Sequence, residues 1–153
     1  MLYLFLKWLH IVSAAVAIGA NFTYGILIGR ASKDPSVLPF MLRTVKLIDD
    51  RLANPLYVVA AVTGIAMAML LPIPLTTPWV LASLVLFGLI AVIGIAGYTP
   101  ALRRQIRILE LEGPNSSGYL RAARQGMVLG IALAVLVLVI TYLMVAKPML
   151  WQR

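Results

Sequence analysis

Residues 8–29, 55–75, 79–102 and 125–146 contain no Asp, Glu, Lys or Arg. Each stretch is long enough to cross a hydrocarbon core about 30 Å thick as a helix of ~20 residues. Backbone polar groups facing lipid must be paired within their own segment, so these stretches are read as helices. Charge and breaker residues set the expected boundaries at 3–30, 53–73, 78–110 and 118–147. No remaining segment could bury a core of its own, which excludes a separate soluble catalytic domain. The expected fold is all-α, an integral membrane four-helix bundle, with residues 1–153 forming a single four-helix transmembrane domain.

Charge sets the expected orientation. Arg30, Lys33, Arg43, Lys46 and Arg51 lie in the first connection, and Arg103, Arg104, Arg107, Arg121 and Arg124 in the last. The middle connection, Leu71 to Pro78, holds no basic residue. The positive-inside rule therefore places both basic connections in the cytoplasm and both termini outside, in the inner membrane of a bacterium. The net charge of +8 reads as a topological and anionic-lipid signal, and nucleic acid is not expected as a partner. The chain has no cysteine, so disulfides, thiolate metal sites and cysteine nucleophiles are excluded.

Between the first two spans, Val37, Met41, Val45, Ile48 and Leu52 recur at helical spacing. This predicts a short amphipathic helix lying on the cytoplasmic membrane surface. Beyond Glu112, the sequence Gly113-Pro-Asn-Ser-Ser-Gly118 supplies a break and capping residues for the fourth helix.

Helix 1 carries the most informative pattern. At about 100° per residue, Lys7, His10, Ser13, Ala14, Ala17, Asn21, Tyr24 and Gly25 fall on one face. Polar groups in hydrocarbon need partners, so this face is expected to meet protein while the opposite side meets lipid. Gly126-x-x-x-Gly130 and Gly94-x-x-Gly97 are expected at close helix contacts.

His10 is the single histidine, expected in the outer half of the membrane with Lys7 one turn away. Late helices 2 and 4 share its level, bringing Met67, Met69, Thr141, Tyr142, Met144 and Lys147 into range. Two readings of His10 stand side by side. In one, a neutral imidazole hydrogen-bonds a neighbouring helix and sets its register. In the other it is an axial ligand to the iron of haem b, with Lys7 and Lys147 pairing the propionates and Asn21 and Tyr142 contributing to the pocket. The methionines could instead join His10 in holding Cu(I), which favours soft ligands. Paired-acid catalysis, a carboxylate relay through the membrane and a hard-cation site lack their groups, because all five carboxylates fall outside the uncharged stretches. The balance is against an enzyme.

Leu6-Lys7-Trp8-Leu9-His10-Ile11, Thr63-Gly64, Pro78-Trp79-Val80-Leu81-Ala82-Ser83 and Met144-Val145-Ala146-Lys147-Pro148 resemble the bacterial integral-membrane proteins of domain-of-unknown-function family 2269. That group is similar in turn to copper-resistance protein D and to HemJ-type protoporphyrinogen oxidases. The HemJ-type likeness implies haem held by a histidine near the start of the first helix, which matches His10, and a functional lysine in a later helix. Residues 79–98 contain no lysine, so the implied oxidase activity lacks one of its groups here. The copper-resistance likeness implies copper passage. The leading expectation is a b-type haem-binding or accessory subunit of a membrane electron-transfer complex, with His10 as axial ligand and other membrane subunits or a second copy as partners. The alternatives are a cofactor-free structural or assembly subunit and a transporter of copper or a small solute.

Overall fold

The computed structural model describes residues 1–71 and 73–148. It is built from four long apolar helices: α1 (Leu2–Ala31), α2 (Leu38–Leu70), α3 (Pro78–Glu112) and α4 (Ser117–Ala146). No strand occurs among the described residues, and the all-helical membrane architecture agrees with the sequence reading. Local chemistry sets the helix ends. Pro78 opens α3, where its missing N–H would be unpaired in any case. Gly113 takes φ 82° after α3, a conformation that favours glycine. The Ser116 side chain caps α4 by accepting from the Tyr119 N–H at 3.1 Å.

The amphipathic segment does not lie alone on the membrane surface. It is continuous with the second span in one 33-residue helix, joined through a π turn at Asp49–Ala53. A second π turn interrupts α3 at Ile93–Tyr98. Each is followed two residues later by a proline, Pro55 or Pro100. A proline inside a helix has no N–H for the carbonyl four residues back and its ring crowds that carbonyl. The wider π turn accommodates this, and the Asn54 and Thr99 N–H groups reach the Asp49 and Gly94 carbonyls five residues back. The two helices run in opposite directions. Because 11 residues of α2 precede its turn and 14 of α3 follow the other, both turns lie at a similar depth.

All four helices meet at the end that carries the two basic connections. There Leu38, Leu42 and Val45 of α2 pack with Leu102 and Leu109 of α3, Tyr119 of α4, and Tyr24 and Ala31 of α1. Val45 is in the expected face of the amphipathic segment, whereas Val37 and Leu52 are exposed. The buried face is rotated by about one residue because Leu38, Leu42 and Val45 pack on Leu102 and Leu109 of α3 as well as on α1. The Arg43 Nε donates to Glu110 Oε1 at 3.0 Å, linking α2 to the extension of α3. Both side chains are exposed, so the pair adds little stability.

Away from this end the helices form two separate seams. Residues 54–70 of α2 pack on α1, residues 78–92 of α3 pack on α4, and α1 touches α4. Among the described residues, 54–70 approaches neither α3 nor α4. The order across the membrane is therefore α2, α1, α4, α3. Small residues close the first seam, with Ser13 and Ala17 of α1 and Ala60 and Thr63 of α2 all buried. In the second, a Cβ on Gly97 would stand 3.5 Å from the Leu129 side chain, and nearer the basic end one on Gly126 would stand 3.2 Å from Oε1 of Gln105. Gly94 meets no neighbour, so only part of the expected glycine pattern serves this contact.

Candidate functional site

His10 faces protein, as the polar arc of α1 predicts. Its ring lies over Gly64 of α2, where an added Cβ would come within 3.0 Å of Cε1 and 3.3 Å of Nδ1. Nδ1 is 2.7 Å from the Ala60 carbonyl. A carbonyl only accepts, so Nδ1 carries the proton and Nε2 keeps the lone pair. The Thr63 hydroxyl, 3.4 Å from Nδ1, donates to the Val59 carbonyl at 2.7 Å and so holds its own lone pair toward the ring. Among the described residues no hydrogen bond involves Nε2. A donor bond from one ring nitrogen to a backbone carbonyl fixes tautomer and orientation and leaves the other nitrogen available to a metal.

The other expected site residues are distributed differently. Lys7 is exposed one turn from His10. Asn21 lies about 16 Å farther along α1, taking 1.5 Å per residue, and its Nδ2 donates to the Tyr57 hydroxyl at 2.6 Å. It belongs to another layer of the seam. Tyr142 is largely exposed on α4, and the Lys147 ammonium sits 5.5 Å from the Trp79 ring centroid, a cation–π contact joining the ends of α3 and α4. The structure thus brings Lys7 near His10 and groups Lys147 with Trp79. Met67 and Met69 of α2 are not gathered with Met144, because 54–70 and α4 do not approach each other.

Two features escape the sequence reading. Gly64 and the Ala60 carbonyl set the imidazole, and only the dipeptide Thr63-Gly64 hinted at them. The second is Asp49, only 5% exposed at the π turn of α2, before the uncharged part of that helix. Asn54 Nδ2 donates to its Oδ2 at 3.2 Å. Burial pushes the Asp49 carboxyl above the ordinary range, against the hydrogen bond from Asn54.

The geometry is that of a chain built to sit in lipid, with paired polar groups turned inward along α1. A family model described as "Predicted integral membrane protein (DUF2269)" matches residues 4–148. The chain belongs to this family. Neither a curated protein nor a solved structure matches it. The DUF2269 match takes in His10, Gly64, both π turns and the two basic connections.

Proposed function

We propose that this DUF2269 protein is a membrane subunit that presents Nε2 of His10 as one axial ligand to the iron of haem b, shared with a partner chain or a second copy. The observation that carries this reading is the anchored imidazole: Nδ1 bound to Ala60 at 2.7 Å and Nε2 without a partner among the described residues. An unpaired acceptor in hydrocarbon costs about 1–3 kcal/mol, and a metal would remove that penalty. His10 fits such a role, and exposed Lys7 can reach an anionic propionate. The seam between α1 and α2 is closed around the ring by Gly64, so the macrocycle would lie outside it, against a surface completed by another chain. Haem b, when bound, supplies one-electron redox chemistry. The residues of this chain hold the ligand nitrogen in its tautomer and keep the site in a low-dielectric layer. By the positive-inside rule the basic end is placed in the cytoplasm and both termini outside a bacterial inner membrane.

A second reading is supported by the same contact: His10 as a purely structural clamp between α1 and α2 in a cofactor-free assembly subunit. Reduced-minus-oxidised spectra of the purified protein supplied with haem separate the two. Bands in the wild type that vanish in His10→Ala support ligation. No bands, together with a His10→Ala variant that loosens assembly, support the clamp and end the haem reading.

A further inference from the structure

A second set of side chains is independent of His10 and plays no part in the reading above. Arg121, Arg124, Gln125, Val128 and Leu129 of α4 line a shallow, open groove of about 350 Å³, within the size range of small-ligand clefts. Successive positions in this set recur at helical spacing, so the two guanidinium groups stand one turn apart with Gln125 beside them. Arg121, Arg124, Gln125 and Val128 are exposed. Val128 and Leu129 lie inside the uncharged stretch 125–146, with Val128 about 6 Å beyond Arg124 along the helix axis. The groove therefore crosses the boundary between headgroups and hydrocarbon, cationic above and apolar below.

No side-chain carboxylate of the protein neutralises this pair. Glu110 is bonded to Arg43 and Asp50 to Lys46. Asp34 accepts from the amide and hydroxyl of Ser36, Asp49 accepts from Asn54, and Glu112 lies against Gly118 at the start of α4. Among the described residues, Arg121 and Arg124 enter no ion pair. Exposed Arg103, Arg104 and Arg107 of α3 add to the positive potential of the same end. The counter-charge of the groove must come from outside the chain, and a guanidinium fork matches the oxygens of a phosphate.

We propose that this groove binds one anionic phospholipid from the leaflet at the basic end. Arg121 and Arg124 hold the phosphate oxygens, Gln125 donates to the headgroup, and an acyl chain lies over Val128 and Leu129. The ligand class follows from the two halves of the groove. A free phosphate ester would satisfy the arginines and leave the apolar floor uncovered. A zwitterionic lipid would cover the floor, but its own ammonium competes with the arginines for the phosphate. An anionic lipid supplies both the net charge and the chain, and basic side chains at the membrane surface select for it.

The test uses the purified full chain in detergent micelles, titrated with dioleoylphosphatidylglycerol or dioleoylphosphatidylcholine while native mass spectrometry counts the bound lipids. One phosphatidylglycerol should be retained with a preference of roughly 30-fold over phosphatidylcholine, each of the two arginines contributing about five-fold. Arg121→Gln with Arg124→Gln should abolish the preference. Arg103→Gln with Arg107→Gln removes the same charge elsewhere at this end and should leave the preference intact. All four side chains are exposed, so neither exchange is expected to disturb the fold. Glycerol phosphate at the same concentration should not displace the lipid. Equal retention of the two lipids would overturn the proposal, as would an equal loss in both double variants, the mark of diffuse charge. Displacement by glycerol phosphate would assign the groove to a free phosphate ester and overturn it too.

Discussion

The imidazole of His10 and the bare Cα of Gly64 are fitted to each other across the seam between α1 and α2. A Cβ at position 64 would stand 3.0 Å from Cε1 and 3.3 Å from Nδ1, closer than a ring already bound to Ala60 at 2.7 Å can yield without moving. Gly64→Ala is therefore expected to destabilise the protein by about 1–3 kcal/mol, the usual range for overpacking. In a His10→Ala background the same substitution should be nearly neutral. A double-mutant cycle by denaturant unfolding in micelles checks this, and additive effects would show that the two residues do not interact.

Asn21 and Tyr57 form the second polar bridge of that seam, at 2.6 Å. Interhelical hydrogen bonds in membranes contribute about 0.6–1.7 kcal/mol. Tyr57→Phe should lose that amount, and Asn21→Leu should cost less in a Tyr57→Phe background than alone, since the amide then has no partner to lose. Unfolding midpoints of the four proteins give the coupling, and a coupling of zero would place the bridge outside the native packing.

The absence of cysteine from the sequence permits a direct test of helix order. Arg43→Cys with Glu110→Cys should be joined within the chain by a short bifunctional thiol crosslinker, because the long native side chains meet tip to tip at the basic end. Ile65→Cys with Val85→Cys should not, because 54–70 and 78–92 do not approach each other. Efficient intramolecular crosslinking of the second pair on non-reducing gels would require α2 and α3 to be neighbours in the membrane.

Single cysteines at Ser36, Leu75 and Ser117 test the orientation. A thiol reagent that cannot cross membranes should label Leu75→Cys from outside the cell, and Ser36→Cys and Ser117→Cys only after permeabilisation. Labelling of both serine positions on intact cells would reverse the orientation read from the basic residues.

The four spans were legible because an uncharged run bounded by arginines is a strong signal of length and depth, and the boundaries of α1 and α4 agree with 3–30 and 118–147 to a residue. The union of the amphipathic segment with α2 was not legible. It depends on a π turn that Pro55 makes favourable but does not dictate, and on the partner surface of Leu102 and Leu109, which no local pattern announces. The inward turn of His10 was legible because a polar ring in hydrocarbon needs a partner. That partner, the Ala60 carbonyl, was not, since a backbone group leaves no mark in residue identity. Asp49 was hidden beside Asp50 and Arg51, outside the expected apolar face of the amphipathic segment.

The claim at the centre of this account is that Nε2 of His10 is a ligand nitrogen. Titrating hemin into the protein in lipid nanodiscs, with imidazole added back to His10→Ala, measures this most directly. The account predicts a saturable Soret band in the wild type, its loss in His10→Ala and its recovery with free imidazole. A wild-type protein that gives no saturable band, or a His10→Ala variant that binds hemin as the wild type does, would contradict it.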